Sequence, residues 1–322
     1  MLFIHRRDAD QVRQVETGGP VGVIPPGTVW IDMLEPTPEE ADSVERLLAI
    51  DVPTREEMKK IEESSRLYVE DGALFMTMPV VNKAATEPEN AGVTFILTSS
   101  ALVTLRYVDP LPFGRFARRI QGQPDLAASP EAALIGLLEQ VIDRLDDILE
   151  GATADIDAIS ADIFRRPAEK AHRGAGLHEI LRRIGRAGDL ASKARASVLG
   201  LNRLLLFLST NPTCTPGGRG RIETLMRDVQ SLSDHDGFLA GKVGFLQDAT
   251  LGMIDIEQSG IIKIFTIAAV AFMPPTLVAS VYGMNFHHMP ELDWTFGYPL
   301  ALALMALSAV LPFLYFRHKR WL

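Results

Sequence analysis

The sequence predicts an α+β membrane protein in which an N-terminal cytosolic part precedes two C-terminal transmembrane helices. Residues 261–282 and 299–316 form two apolar runs, of which the first contains one charge, Lys263, and the second none. Each run is near the ~20 residues needed to cross ~30 Å of hydrocarbon. The chain of 322 residues still contains 23% charged residues, and its mean hydropathy is +0.11. A single run could be a buried core helix, but two runs separated by a short loop favour a membrane hairpin.

The basic residues predict the orientation of this hairpin. Residues 317–322 form a basic tail after the second run, and Lys263 lies at the entry of the first. The connecting loop, 283–298, contains no Lys or Arg. By the positive-inside rule we expect both termini in the cytosol and the loop outside the plasma membrane. No secretory signal opens the sequence.

Residues 1–128 are expected to form a cytosolic α/β domain. Two capping boxes, in which a Thr is followed three residues later by a Glu, predict helices that begin after Thr37 and Thr54. Three segments rich in β-branched and aromatic residues predict strands: 28–34, 66–81 and 93–108.

Residues 129–218 are expected to form an antiparallel pair of helices, because apolar residues recur there at spacings of three and four. Breaks are expected at 165–167 and at 174–176, and the segment 211–218, NPTCTPGG, predicts a loop.

A long stalk helix is expected over 219–260, because no proline follows the loop until Pro274. It would continue without interruption into the first transmembrane helix, 261–282. Glycines weaken this prediction, since each costs up to ~1 kcal/mol in an exposed helix. They are Gly237, Gly241, Gly244, Gly252 and Gly260.

The composition restricts the classes of function. The net charge of −9 argues against nucleic acid as a partner. The single cysteine, Cys214, excludes a disulfide framework and a cysteine-based zinc site. No phosphate-binding glycine loop or recognised catalytic spacing occurs in the sequence, which argues against an enzyme and against an organic cofactor.

Two membrane helices cannot enclose a water-filled path alone, because backbone polar groups that face lipid must already be paired. The hairpin therefore either anchors the cytosolic part or belongs to an oligomeric channel. One helix face, called the pore face below, favours a cation path, although a solvated helix face is the alternative for each aspartate alone. The pore face comprises Asp248, Asp255, Ser259, Ile262, Thr266, Ala269, Met273 and Thr276.

The outer loop follows the pore face directly. Gly283, Met284 and Asn285 supply carbonyl and amide oxygens, and the acidic Glu291 and Asp293 follow them. Because Mg²⁺ holds its water tightly in octahedral geometry, an Asn285 side chain could hydrogen-bond the hydrated ion without stripping it. A glycine that follows a helix also predicts a left-handed C-terminal cap, which is the alternative interpretation of Gly283.

These residues resemble the CorA family of magnesium transporters. The resemblance rests on YGMNF at 282–286, MPEL at 289–292 and FGYP at 296–299, with further matches upstream in the first membrane helix. It is close over roughly the last quarter of the chain, whereas the cytosolic part matches in plan alone.

The resemblance implies a homopentamer whose first membrane helices line the pore, and a hydrated Mg²⁺ that is received at the Gly-Met-Asn loop. It implies that Asn285 is the selectivity residue, that Thr276 and Met273 are outer pore positions, and that Asp248 forms a cytosolic acidic ring. Ser259 departs from the family, which often has asparagine there.

The gate and the regulatory site are less sharply defined by the sequence. The gate is assigned either to Ile262 or to Phe265. Asp228 resembles a family sensing aspartate, and Asp71 is the suggested partner from the α/β domain, so that cytosolic Mg²⁺ would bridge neighbouring subunits.

The leading hypothesis is therefore uptake of Mg²⁺, with Co²⁺ and Ni²⁺ as possible further substrates. The membrane potential would drive this uptake, and cytosolic Mg²⁺ would gate it. The predicted partners are further copies of the chain, divalent cations and the lipid bilayer. A transporter of Zn²⁺ or another transition metal on the same scaffold is the alternative, for which His287 and His288 are the hint in the sequence. A membrane-anchored enzyme is the more distant alternative.

Overall fold

The computed structural model describes residues 1–8, 11–60, 66–164, 174–212, 214–284, 289–290 and 294–319. The chain divides into two compact units. The first unit comprises Met1–Arg166 and Ile180–Gln247, and the second comprises Pro167–Glu179 and Asp248–Leu322.

In the described part of the first unit, seven strands form one sheet in the order β2-β1-β3-β7-β6-β5-β4. Neighbouring strands are antiparallel except for β3 and β7, which pair in parallel. The strands are β1 (Leu2–Asp8), β2 (Gln11–Thr17), β3 (Thr28–Leu34), β4 (Leu67–Glu70), β5 (Ala73–Asn82), β6 (Glu89–Leu97) and β7 (Leu102–Arg106).

The three predicted strand segments are confirmed, with a turn at Gly72 between β4 and β5 and a turn near Ser99 between β6 and β7. The sequence prediction missed β1 and β2. Both carry several charged residues, and β2 is an edge strand with mostly exposed side chains. Its pattern therefore lacks the apolar alternation that marks a half-buried strand.

Helices cover both faces of the sheet. On one face α1 (Pro38–Leu48) and α2 (Arg55–Lys60) contribute Val44 and Met58 to a core with Ile31 and Met33. The Thr37 capping box is present, since its hydroxyl accepts from the Glu40 N–H and the Glu40 carboxylate accepts from the Thr37 N–H. The same pair of bonds joins Thr54 and Glu57, so both predicted helix starts are confirmed.

The other face carries aromatic side chains and one buried ion pair. The Trp30 ring lies 5.5 Å from Phe116 of α3 (Leu111–Gly122), a helix that the sequence analysis did not predict. On the same face Nη2 of Arg106 donates to Oδ2 of Asp32 at 2.7 Å. The Thr104 hydroxyl also donates to Asp32 at 2.7 Å, so the buried carboxylate is fully engaged.

Four long helices follow α3. They are α4 (Pro130–Phe164), α5 (Gly174–Thr210), α6 (Pro216–Tyr282) and α7 (Gly297–His318). Within the first unit α4 and α5 are antiparallel, because Asp162 near the end of α4 accepts from Arg183 near the start of α5 at 2.6 Å. Glu139 of α4 also accepts from Arg221 of α6 at 2.7 Å.

Two predicted helix boundaries were wrong. The break expected at 174–176 lies inside α5, while 165–167 falls outside the described residues. The loop expected over 211–218 ends early, because α6 begins at Pro216. There the Thr215 hydroxyl accepts from the Gly218 N–H at 3.1 Å, which satisfies an N-terminal donor of the helix.

The long helix α6 is continuous from Pro216 to Tyr282, as the sequence predicted, and it runs through Pro274 and Pro275. Its glycines do not interrupt it. The proposed division of the chain at residues 128, 218 and 260 remains a prediction.

Candidate pore helix and ion-binding residues

The C-terminal part of α6 and the whole of α7 are long and apolar enough to cross a membrane. In α6 the half-buried positions recur at helical spacing and include Ile267, Val270, Pro274 and Val278. A matching row occurs on α7, where Ala301 is buried and Met305, Ser308, Pro312 and Phe316 are half-buried. These two rows indicate that α6 and α7 pack together within the second unit.

The predicted pore face lies on an exposed side of α6. All eight of its predicted members are exposed in the single chain, from Asp248 to Thr276. Ile262 and Met273 are 64% and 69% exposed, although both are large apolar side chains. In a membrane, such an apolar face is covered either by lipid or by copies of the same helix.

A shallow, open surface depression lies on this side of α6 and is lined by residues of this helix. Its lining includes Ala269, Met273 and Thr276, which helical spacing places on one face. It also includes Phe272 and Ser280, which the sequence analysis did not assign to the path. Ser280 continues the spacing of three and four by one further turn, so this signal was present in the sequence.

The hydroxyl groups on the pore face have a defined orientation. The Thr266 hydroxyl donates to the Ile262 carbonyl at 2.8 Å, and the Thr276 hydroxyl donates to the Phe272 carbonyl at 2.7 Å. Because each proton is engaged within the helix, the hydroxyl oxygen is left as an acceptor. Such oxygens can accept hydrogen bonds from the water shell of a cation.

At the end of α6 the backbone continues in a tight turn. The Gly283 N–H donates to the Ala279 carbonyl at 2.9 Å, and the Met284 N–H donates to the Val281 carbonyl at 3.3 Å. A Cβ at Gly283 would lie 3.1 Å from the Ala279 carbonyl oxygen. The left-handed cap was therefore wrong, because the positive-φ glycines among the described residues are Gly27 and Gly72.

Several predicted loop residues fall outside the described part of the chain. They are Asn285, His287, His288, Glu291 and Asp293. Their roles remain predictions.

The aspartates that the sequence predicts on the cytosolic side are exposed side chains. This holds for Asp71 and Asp228 in the first unit and for Asp248 and Asp255 in the second. Among the described residues, no group of three or more His, Cys, Asp or Glu side chains could hold a metal within one chain.

A soluble α/β domain followed by two apolar C-terminal helices defines a membrane protein with a double-span anchor or pore. The family model described as "CorA-like Mg2+ transporter protein" matches residues 26–319. The chain belongs to this family. Because the family consists of ion transporters, membership excludes the membrane-anchored enzyme.

The similarity extends far beyond the C-terminal quarter to which the sequence analysis limited it. The magnesium transport protein CorA of Sodalis glossinidius (strain morsitans) is 36% identical over 295 residues, which cover 91% of this chain and 92% of that protein. The protein of the same name from Escherichia coli (strain K12) gives the same identity and coverage.

A solved structure also shares the fold. The complete structure of the CorA magnesium transporter from Methanocaldococcus jannaschii aligns with a TM-score of 0.78 at 16% identity. The alignment covers 100% of this chain and 99% of that one.

Proposed function

We propose that this chain takes up Mg²⁺ across the plasma membrane as a homopentamer, with Co²⁺ and Ni²⁺ as further substrates. Family membership supports the transport of a divalent cation, and the relatives at 36% identity are named as magnesium transport proteins. The observation that carries the proposal is the exposed pore face of α6.

The exposed face supports assembly around a central axis. Two helices cannot enclose a hydrated path, since no lipid-facing backbone group can remain unpaired. If the α6 helices of five copies surround the axis, each copy covers its neighbour's apolar side chains, while α7 lies outside. The heavy exposure of Ile262 and Met273 in the isolated chain is the expected state of such a surface.

At the outer mouth, Asn285 side chains and the carbonyl oxygens of Gly283 and Met284 receive the hydrated ion. Mg²⁺ dehydrates reluctantly, so a ring of oxygen acceptors can select it through its coordinated waters. Glu291 and Asp293 make the mouth negative and raise the local cation concentration.

Below the mouth, the ion passes the side chains of the pore face. Thr276 and Thr266 contribute hydroxyl acceptors, and Met273 and Ala269 line the path between them. Ile262 or Phe265 forms an apolar constriction that gates by dewetting. Ser259, Asp255 and Asp248 lead the ion into the cytosol.

The membrane potential drives this uptake. With both termini in the cytosol, as the basic tail after α7 favours, entry of a divalent cation at 100 mV releases about 4.6 kcal/mol, twice the figure for one charge. No bound nucleotide is needed as an energy source.

Cytosolic Mg²⁺ closes the pore by bridging acidic side chains of neighbouring subunits. Asp228 and Asp71 are our candidates, and the exposure of both side chains supports this role. Five acidic copies around one axis repel each other, so a divalent cation between them stabilises the closed arrangement.

Ion flux into liposomes that contain this purified protein tests the proposal. Mg²⁺-sensitive and Zn²⁺-sensitive dyes inside the liposomes report the two ions separately under an imposed inside-negative potential. We expect Mg²⁺ entry with little Zn²⁺ entry. Zn²⁺ entry without Mg²⁺ entry would instead favour the zinc transporter, and absence of both fluxes would refute transport by the chain alone.

A further inference from the structure

We propose that a cleft in the soluble unit binds a phosphate-bearing anion. The cleft lies beside the turn between β5 and β6, against the start of α3 and one side of α4, and has a volume of about 400 Å³. Its charged lining consists of Lys83, Arg118, Arg144 and Asp109, which together are called the cationic cleft. Its volume lies within the range of ~300–1,000 Å³ that is typical of small-molecule pockets.

Arg144 is the central cation of the cleft. Its side chain is 25% exposed, and its ion pair is a long one, 3.8 Å from Asp147 on the same helix. Asp147 lies closer to Arg115, at 3.2 Å. Among the described residues Arg144 donates no hydrogen bond, and its side chain, three-quarters buried, lines the cleft. A partly buried guanidinium of this kind is a ready ligand for an anion.

Two further cations face the same space. Arg118 donates from Nε to the Gly114 carbonyl of its own helix at 3.1 Å, which leaves its two terminal amino groups for a ligand. Lys83 is 59% exposed and forms a surface pair with Glu89. The carboxylate of Asp109 is already engaged by Nη1 of Arg106 at 2.6 Å, so its repulsion toward an anion is reduced.

The cleft is held open by contacts outside it. Lys83 has a φ of 51°, a left-handed conformation that non-glycine residues adopt where the surroundings enforce it. The turn is fixed to α5, because Nζ of Lys193 donates to the Pro88 carbonyl and Asn90 donates to the Lys193 carbonyl at 3.1 Å. A ligand therefore meets a preformed site, which lowers the ordering cost of binding.

The chemistry favours phosphate over a carboxylate. Two guanidinium groups and one ammonium group can engage several oxygens of one anion, and the planar guanidinium fork matches phosphate geometry. A monocarboxylate would satisfy one of these groups. In a chain with a net charge of −9, a cleft with three cations is selective for an anion of high charge, such as a diphosphate or the phosphates of a nucleotide.

Titration calorimetry on the full-length protein in detergent tests this site. The buffer contains EDTA and no Mg²⁺, so that the probes are not chelated, and the probes are sodium pyrophosphate, ATP and adenosine. We expect pyrophosphate and ATP to bind and adenosine to be silent. Stronger binding of ATP than of pyrophosphate would assign the site to nucleotides, and the reverse order would assign it to inorganic polyphosphate.

Variants locate the binding. Arg144→Gln should weaken pyrophosphate at least about tenfold, since a charge-assisted hydrogen bond is lost. Arg118→Gln should also weaken pyrophosphate binding, and this exposed substitution is not expected to disturb folding. Arg227→Gln is the matched control, because Arg227 also donates to a carbonyl of its own helix but does not line the cleft.

The proposal is overturned if neither pyrophosphate nor ATP gives binding heat. It is equally overturned if both cleft variants bind as tightly as the wild-type chain, or if ATP and adenosine bind while pyrophosphate does not.

Discussion

The imidazole of His5 stacks on the indole of Trp30, with ring centroids 4.1 Å apart and planes inclined by 11°. The two residues are paired partners on the adjacent strands β1 and β3. His5 is 1% exposed, and its Nδ1 has no hydrogen-bond partner among the described residues. The sheet therefore contains a buried imidazole that its surroundings keep neutral.

This burial makes the stability of the soluble unit dependent on pH. Burial lowers the pKa of His5 from 6.5 to about 4, while Asp32 raises it and Arg106 lowers it further. The unfolded chain therefore binds a proton near pH 6.5, before the folded chain does. The contribution of neutral His5 to the free energy of unfolding is therefore complete above pH 6.5. It falls by about 3 kcal/mol as the pH drops to 4.

Urea unfolding of the full-length protein, at a series of pH values from 7.5 to 4, measures this loss. In His5→Gln the free energy of unfolding should decline over this pH range by about 3 kcal/mol less than in the wild-type protein. His178→Gln, a change at an exposed histidine of α5, is the control and should keep the full decline. An unchanged pH dependence in His5→Gln would contradict the assignment.

A second prediction concerns the contact of α5 with the sheet. A Cβ at Gly200 would lie 2.9 Å from Cδ of Pro79 and 3.2 Å from Cβ of Met78, both on β5. Gly200→Ala should therefore destabilise the protein by about 1–3 kcal/mol, because the helix must move away from the strand. Gly185→Ala is the control on the same helix, where nothing lies within 4 Å. It should stabilise by up to ~1 kcal/mol, and equal urea midpoints for the two variants would refute this packing.

The gate offers a third prediction. Ile262→Ser or Phe265→Ser should raise the basal leak at high cytosolic Mg²⁺, because a hydroxyl wets an apolar constriction. Ile267→Ser is the control, since Ile267 belongs to the half-buried face of α6. Leak of a monovalent cation from proteoliposomes with high internal Mg²⁺, followed with a fluorescent dye, gives the comparison. If neither pore variant leaks more than Ile267→Ser, the gate lies elsewhere.

The proposed regulation by cytosolic Mg²⁺ gives a fourth prediction. Asp228→Lys replaces a repelling carboxylate with the charge that a bridging ion would supply, so it should hold the closed state without Mg²⁺. Limited proteolysis in Mg²⁺-free buffer should then be slower than for the wild-type protein. Asp234→Lys, the same charge change six residues further along α6, should not slow it. Digestion of Asp228→Lys at the wild-type rate would remove this residue from the mechanism.

The elements that depend on burial in the bilayer or on local hydrogen bonds were predictable from the sequence. The length of α7 and the membrane segment of α6 follow from apolar runs that match the bilayer, and the Thr37 and Thr54 boxes mark helix starts through purely local bonds. By contrast β1 and β2 carry too many charged residues to show an alternation, and they are strands because β3 pairs with β1. This pairing joins segments that are distant in sequence, so the local sequence pattern of β1 and β2 does not reveal it.

The roles assigned to the pore face remain predictions. Helical spacing placed Ala269, Met273 and Thr276 on one face, and they share that face because α6 is a continuous helix there. The cationic cleft was not predictable, because Lys83, Arg118 and Arg144 are far apart in sequence and meet through the packing of the β5–β6 turn on two helices. The left-handed cap expected at Gly283 is not formed, because the backbone there continues the helical hydrogen bonding without a positive φ.

The central claim is that Mg²⁺ enters through a ring of Asn285 side chains at the mouth of a pore lined by α6. Potential-driven Mg²⁺ uptake by proteoliposomes of wild-type and Asn285→Ala protein tests it most directly, with cross-linking to verify that the oligomer is intact. An amide oxygen accepts from a coordinated water and a methyl group does not. We expect selective Mg²⁺ uptake by the wild-type protein and its loss in Asn285→Ala at unchanged assembly, whereas wild-type uptake and ion discrimination by the variant would contradict the claim.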